Sequence, residues 1–196
     1  MRERIYLFNG KDLNNWLDIN GNTPEWEIGE DGAMTVNKHN IYTKETFGDA
    51  HIHVEFWLPN LPHTEDRNTR VNSGVFVHGC YEIQILDSYD VEEYLINDCG
   101  ALYSQYIPLC NACKPAEEWQ SFDIFMYAPR FNDEGRVIED GRMTLLFNDV
   151  CVLNNVIVKK ACAGGVIDHR VPEGPLMLQA YMDYKVRFRN IWIEKL

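Results

Sequence analysis

Apolar and polar residues alternate with a period of two along much of this chain, the signature of strands with one buried face. Across 51–58, Ile52, Val54, Phe56 and Leu58 share one side, and His51, His53, Glu55 and Trp57 share the other. Across 119–127, Phe122, Ile124 and Met126 oppose Ser121 and Asp123. Across 142–148, Met143, Leu145 and Phe147 fall together. Near the C-terminus Val186 and Phe188 begin on one face, whereas Ile191 and Ile193 continue on the other parity, so a bulge is expected near Asn190. Shorter strands are predicted over 34–36, 74–78, 80–86, 101–103, 150–153 and 176–179. Turn residues separate most of them: Glu30-Asp31-Gly32, Asn132-Asp133-Glu134-Gly135, Asn148-Asp149 and Pro172-Glu173-Gly174-Pro175.

No stretch keeps a helical period over three turns; the most helix-like piece, 91–96, is short. Many strands and few helices predict an all-β sandwich or jelly roll. Its 196 residues fit one domain, 1–196, without repeat or linker. Three loops are long enough to carry function: 59–72, 87–97 and 107–118.

Strand 80–86 changes the picture from fold to chemistry. In Tyr81-Glu82-Ile83-Gln84-Ile85-Leu86-Asp87, the odd positions read as core, and Glu82 and Gln84 share the opposite face. Ideal alternation would send the Asp87 carboxylate toward the core, which is costly. A bulge at Ile85-Leu86 would return it to the Glu82 face. Two neighbouring carboxylates split their pKa values, so one can donate a proton while the other accepts one. The plain alternative is the wet face of an antiparallel sheet.

Other candidates surround that strand. Asn72 opens the preceding one, Tyr103 ends Gly100-Ala101-Leu102-Tyr103, and Trp119 opens another. Trp57 and Tyr181 suit stacking on sugar rings, with core packing the competing role. His53, His78 and His169 are separate candidates, each balanced by an ordinary surface or core role. His169-Arg170 follows the Gly-rich stretch Gly164-Gly165-Val166-Ile167-Asp168. Arg187 and Arg189 share a face and suit oxygen-rich groups, or merely offset surface acidity.

Net charge is −12, which argues against a nucleic-acid backbone as partner, because phosphate binding needs a positive surface. No apolar run approaches the ~20 residues of a membrane helix, so no membrane partner is expected. Met1-Arg2-Glu3-Arg4-Ile5 carries no apolar signal core. A soluble, cytoplasmic protein is expected, the alternative being an exported one whose signal is missing from this sequence. Six cysteines (Cys80, Cys99, Cys110, Cys113, Cys151, Cys162) are expected as free thiols at this size and without an export signal. Cys110-x-x-Cys113 is half a zinc motif with no second half at finger spacing. There is no Gly-rich phosphate loop, GxSxG or HExxH. Nothing in the pattern sets an oligomeric state.

These residues together resemble the 3-keto-disaccharide hydrolase domain family. The resemblance runs nearly end to end. It begins with Leu7-Phe8-Asn9-Gly10-Lys11-Asp12-Leu13 and Trp16, then Trp26-Glu27-Ile28 with Asp31-Gly32. It continues through Asn72-Ser73-Gly74-Val75-Phe76 and the 81–87 strand to Gly100-Ala101-Leu102-Tyr103, Glu118-Trp119 and Phe188-Arg189-Asn190-Ile191. The resemblance implies a concanavalin A-like jelly roll of two antiparallel sheets. It also implies an oligosaccharide or 3-keto-glycoside substrate, cleaved through proton abstraction at C2, elimination and hydration. Glu82 would then be base or acid, and Asp87 its counterpart or a ligand for a sugar hydroxyl. Gln84 and Asn72 would orient hydroxyls, His169, Arg170 or Arg189 would meet the enolate oxygen, and Tyr103 would be a second acid.

No cofactor is required, although a divalent cation is an alternative electrophile. The spacing Glu82-x-Gln84-x-x-Asp87 is also similar to the E-x-D-x-x-E strand of family sixteen glycoside hydrolases, with an amide in the middle and Asp last. Relatives often read Leu-Gln-Asp-His where this chain reads Leu178-Gln179-Ala180-Tyr181, so an Asp-His pair is missing here. A sugar-binding module without turnover and a conventional glycoside hydrolase are the competing functions.

Overall fold

In a computed structural model the chain is described over residues 3–62 and 66–196. The expected loop 59–72 therefore includes three positions, 63–65, outside the described residues, as are Met1 and Arg2 of the N-terminal segment. Among the described residues fifteen strands follow one another: β1 (Ile5–Phe8), β2 (Trp16–Asp18), β3 (Glu27–Ile28), β4 (Met34–Thr35), β5 (Ile41–Phe47), β6 (Ala50–Trp57), β7 (Asn72–Val77), β8 (Tyr81–Leu86), β9 (Trp119–Tyr127), β10 (Arg130–Phe131), β11 (Val137–Glu139), β12 (Gly141–Phe147), β13 (Val150–Val158), β14 (Gly174–Leu178) and β15 (Arg187–Lys195). The larger sheet runs β13-β12-β9-β6-β15-β4-β3, with β1 also beside β15. The smaller sheet runs β2-β5-β14-β7-β8, and β10-β11 form a separate hairpin. Every strand pairing is antiparallel.

The core is what the period of two dictates. Ile52, Val54 and Phe56 of β6 and Phe122, Ile124 and Met126 of β9 are fully buried. Facing them are Val75 and Val77 of β7 with Tyr81, Ile83 and Ile85 of β8, all in one continuous cluster. Phe56, Phe122 and Phe147 pack with ring centroids 4.7–6.0 Å apart, a separation typical of tilted aromatic pairs. The result is an all-β jelly-roll sandwich of the concanavalin A-like kind.

Local chemistry explains the connections. Asn148 and Asp149 join β12 to β13 with φ of 49° and 66°, the left-handed pair that a tight two-residue hairpin needs. In the β10-β11 turn, Asn132 Oδ1 accepts from the backbone N–H groups of Glu134 and Arg136. The expected bulge in β15 is present: its register against β6 shifts between Arg189 and Trp192, and Asn190 has φ 48°.

Three details differ from expectation. Residues 101–103 are not a strand; only Leu102 bridges, to Ile83 of β8. The segment 91–96 holds no helix. Strand β5 is longer than any alternation signal there suggests, because Thr43 occupies an inward position. Its hydroxyl is satisfied by the Glu45 carbonyl and the Leu176 N–H, which makes a polar residue acceptable in the core row.

Candidate active site on the smaller sheet

The β7-β8 ladder is regular from Asn72↔Leu86 to Val77↔Tyr81. The bulge expected at Ile85-Leu86 is therefore absent. Unbroken alternation puts Glu82, Gln84 and Leu86 on the outer face of the smaller sheet, where they floor a hollow of about 260 Å3. Asp87 does not join them. It lies by a second hollow with Asn60, Tyr89 and Asp90, and its carbonyl accepts from Arg70 Nη1. Strand β8 ends at Leu86 without the extra residue that would have turned Asp87 around.

The walls come from loops. Arg67 belongs to the short turn Arg67–Thr69; Leu95, Asn97 and Asp98 come from the loop after β8; Ala163 follows β13; Gln179 and Tyr181 follow β14. Residues 100–103 lie along the open edge of β8. Gln84 gives its N–H to the Ala101 carbonyl and takes one from Gly100, and the Tyr103 N–H bonds the Glu82 carbonyl. These bonds bring the Tyr103 side chain into the cleft.

Glu82 is 4 % exposed, and burial pushes its carboxyl up to about 7. A hydrogen bond from the Cys162 thiol to Oε2 at 3.2 Å opposes that lift. Gly74 makes room for the carboxylate. A Cβ there would stand 2.6 Å from Glu82 Oε1. Burial raises the Tyr103 hydroxyl above the usual phenol range, and the charge of Glu82 adds to it.

Asp98 is the second carboxylate of the cleft, and sequence reasoning missed it. Its Oδ2 takes the Leu95 N–H at 2.6 Å and pairs with Arg67 Nη1, while buried Oδ1 has no hydrogen-bond partner among the described residues. Arg67 Nη2 also donates to the Glu93 carbonyl, and the Arg67 side chain is 30 % exposed at the cleft. Asn72 Oδ1 receives only a long 3.5 Å contact from Gln84. Tyr181 stacks on Tyr184, with centroids 6.4 Å apart.

Of the residues singled out by sequence, Glu82, Gln84, Asn72, Tyr103 and Tyr181 are brought together here. His169 and Arg170 are not. His169 bonds its neighbour Asp168 and is 72 % exposed, and Arg170 pairs with Asp140 at 2.6 Å. Trp57, Trp119 and Arg189 meet one another on the outer face of the larger sheet. Trp57 and Trp119 are cross-strand partners, and the Arg189 guanidinium lies 3.9 Å from the Trp119 centroid. His53 belongs to that same face, bonded to Asp123. His78 is fully buried, bonds the Gly48 carbonyl, and is pushed down to about 4 by burial.

All six cysteines are free thiols. Among the described residues no group of three His, Cys, Asp or Glu side chains stands close enough to hold a metal ion. No helix among them is long and apolar enough to cross a membrane.

Fold and cleft together define a jelly-roll sandwich with an acid-bearing hollow on its smaller sheet. The family model described as the 3-keto-alpha-glucoside-1,2-lyase-like domain matches residues 3–194, and the chain belongs to that family. Among solved structures it is similar to a candidate glycosyl hydrolase from Parabacteroides distasonis ATCC 8503, at 36% identity and a TM-score of 0.87, covering 98% of this chain and 84% of that one. The carbohydrate-binding module CBM66 from Bacillus subtilis shares the fold at 10% identity and a TM-score of 0.54, covering 92% and 96%. A prokaryotic β-1,3-1,4-glucanase (lichenase) from a mouse hindgut metagenome shares it at 12% and 0.52, over the full length of both chains. No curated protein matches. The chain is a carbohydrate-active domain.

Proposed function

We propose that this protein cleaves 3-keto-glucosides by elimination across C1 and C2, with Glu82 as the base. A ketone at C3 acidifies the hydrogen on C2. Glu82 takes that proton, the electron pair forms an enolate, and the C1–O bond then breaks as the enolate collapses to a 2-hydroxy enone. The departing oxygen takes a proton, and later addition of water to the enone completes net hydrolysis. In an α-glucoside the C2 hydrogen and the C1 oxygen lie on opposite ring faces. Two groups are then needed, and Tyr103 is the acid for the leaving oxygen. Arg67, which lines the cleft where His169, Arg170 and Arg189 do not, is the cation for the enolate oxygen in this reading. Asn72, Gln84 and Gln179 orient hydroxyls, and Tyr181 offers a ring to stack on.

One observation carries the proposal: a buried carboxyl in the cleft, pushed up to about 7 by burial, with no cation among the described residues bonded to it. A base with a pKa near the working pH is what carbon-acid chemistry needs. The floor of the cleft, from Glu82 to Leu86, spans about 13 Å. That length suits a disaccharide or simple glucoside rather than a polysaccharide chain.

The test is incubation with a 3-keto-disaccharide in deuterated water. Release of the free sugar and the 2-hydroxy enone is expected, and Glu82→Gln should slow release by at least ~100-fold. Binding without product would leave a sugar-binding module. Turnover of unoxidised oligosaccharides alone would make it a conventional glycoside hydrolase.

A further inference from the structure

The segment after β13 does more than close the cleft. The Cys162 N–H bonds the Cys80 carbonyl at 2.7 Å, and the Ile167 N–H bonds the Gly79 carbonyl at 3.1 Å. Those two bonds lay the segment over the start of β8. Gly165 permits the approach, since a Cβ there would come within 2.2 Å of the Gly79 oxygen. Cys162 is thereby pressed among Phe76, Met177 and Val166, with its sulfur 3.2 Å from Glu82 Oε2.

We propose that Cys162 is the positioning residue for Glu82: its thiol occupies Oε2, so the proton that Glu82 exchanges resides on Oε1, the oxygen over Gly74. The inference rests on Glu82 being the proton-transfer group. Burial and the nearby Glu82 charge push the Cys162 thiol up to about 12, so it keeps its proton at any working pH and acts only as a donor. A donor to a carboxylate favours the ionised form and opposes the lift from burial. The groups facing Glu82 from other elements are Tyr103 on the edge segment, Tyr181 after β14, and the Arg67–Asp98 pair on the loops. None of them is hydrogen-bonded to its carboxyl; the thiol is. Cys162 is thus a proton-holding partner where a second acid was expected from sequence.

The experiment follows the Glu82 carboxyl carbon by NMR in substrate-free protein labelled with carbon-13 at that position. Wild type, Cys162→Ser and Cys162→Ala are titrated from pH 4 to pH 9. Alanine removes the donor, so its midpoint should rise by about 0.5–1 unit; serine keeps a donor and should stay within about 0.3 unit of wild type. In turnover, Cys162→Ala should lose about three- to eightfold at pH 6.5 and recover by pH 9, a pH-dependent split that mere loosening of the loop would not give. An unchanged midpoint in Cys162→Ala, or an equal shift in both variants, would overturn the proposal. A shifted midpoint with no sugar turnover in any variant would keep the thiol–carboxylate pair and remove the elimination chemistry instead.

Discussion

The two outer faces of this sandwich carry the same kinds of residue and do opposite things with them. On the larger sheet every charged group in the centre is matched. Asp123 takes His51 and His53 at 2.8 and 2.9 Å, and Glu55 takes Arg189 and Asn190 at 2.6 and 2.8 Å. His51 stacks on Phe125 and His53 on Trp192. These pairs depress both Glu55 and Asp123 below the usual carboxylate range, against the opposing pull of burial. On the smaller sheet Glu82 has a thiol for company and Asp98 has one oxygen without a hydrogen-bond partner among the described residues. Polar alternation alone makes both faces equally good candidates. Chemistry is found where polar groups are buried and left short of partners, at a cost to stability that a purely structural face avoids.

Several measurements sharpen or break that contrast. The largest expected effect is that of Glu82→Gln, whose ~100-fold loss of turnover should be accompanied by a gain in stability. The carboxyl titrates near 7 when folded and near 4.5 otherwise, so the folded state retains a proton that the unfolded chain has released between those values. Stability therefore falls as pH rises through that window. Urea unfolding should show the variant roughly 3 kcal/mol more stable than wild type at pH 8, with no difference at pH 4. His78 has the opposite slope, its stability contribution being lost as pH falls from 6.5 to about 4. The slopes of these two groups should accordingly cancel from about pH 4.5 to 6.5.

Next in size comes Arg67→Ala. It strands the buried Asp98 carboxylate and should cost about 3 kcal/mol in denaturant unfolding at pH 8. Arg189→Ala on the other face breaks a partly exposed pair and should cost no more than about 1 kcal/mol. Equal costs would erase the distinction between the faces. Gly74→Ala should reduce turnover about tenfold by displacing the Glu82 oxygen, yet change nothing further in a Glu82→Gln background. The smallest effect belongs to Trp119→Ala, whose kcat/KM should stay within about twofold of wild type.

The fold was legible because burial repeats every second residue, and β6, β9 and β12 display that repeat cleanly. Strand β5 hid because Thr43 makes its hydrogen bonds inside the core row. Within the cleft, the floor was readable: Glu82 and Gln84 alternate in plain view. Its walls were not. Arg67 and Asp98 are 31 residues apart and meet only because two loops fold over the sheet, and Cys162 reaches Glu82 from 80 residues away. Trp57, Trp119 and Arg189 satisfied the same chemical criteria, but β6, β9 and β15 belong to the other layer. Asp87 was misplaced for a simpler reason. A bulge was invoked to spare a carboxylate from the core, whereas the chain leaves the sheet at Leu86 and gives Asp87 a separate hollow of its own.

One last consequence follows from the segment lying along β8. A terminal strand normally exposes a row of unused amide and carbonyl groups, an invitation to pair with another chain. Here Gly100, Ala101 and Tyr103 occupy that row at Glu82 and Gln84. The layer beneath the hollow is thereby shielded from edge-to-edge self-assembly, and crowding or partial heating should recruit copies elsewhere before this border opens.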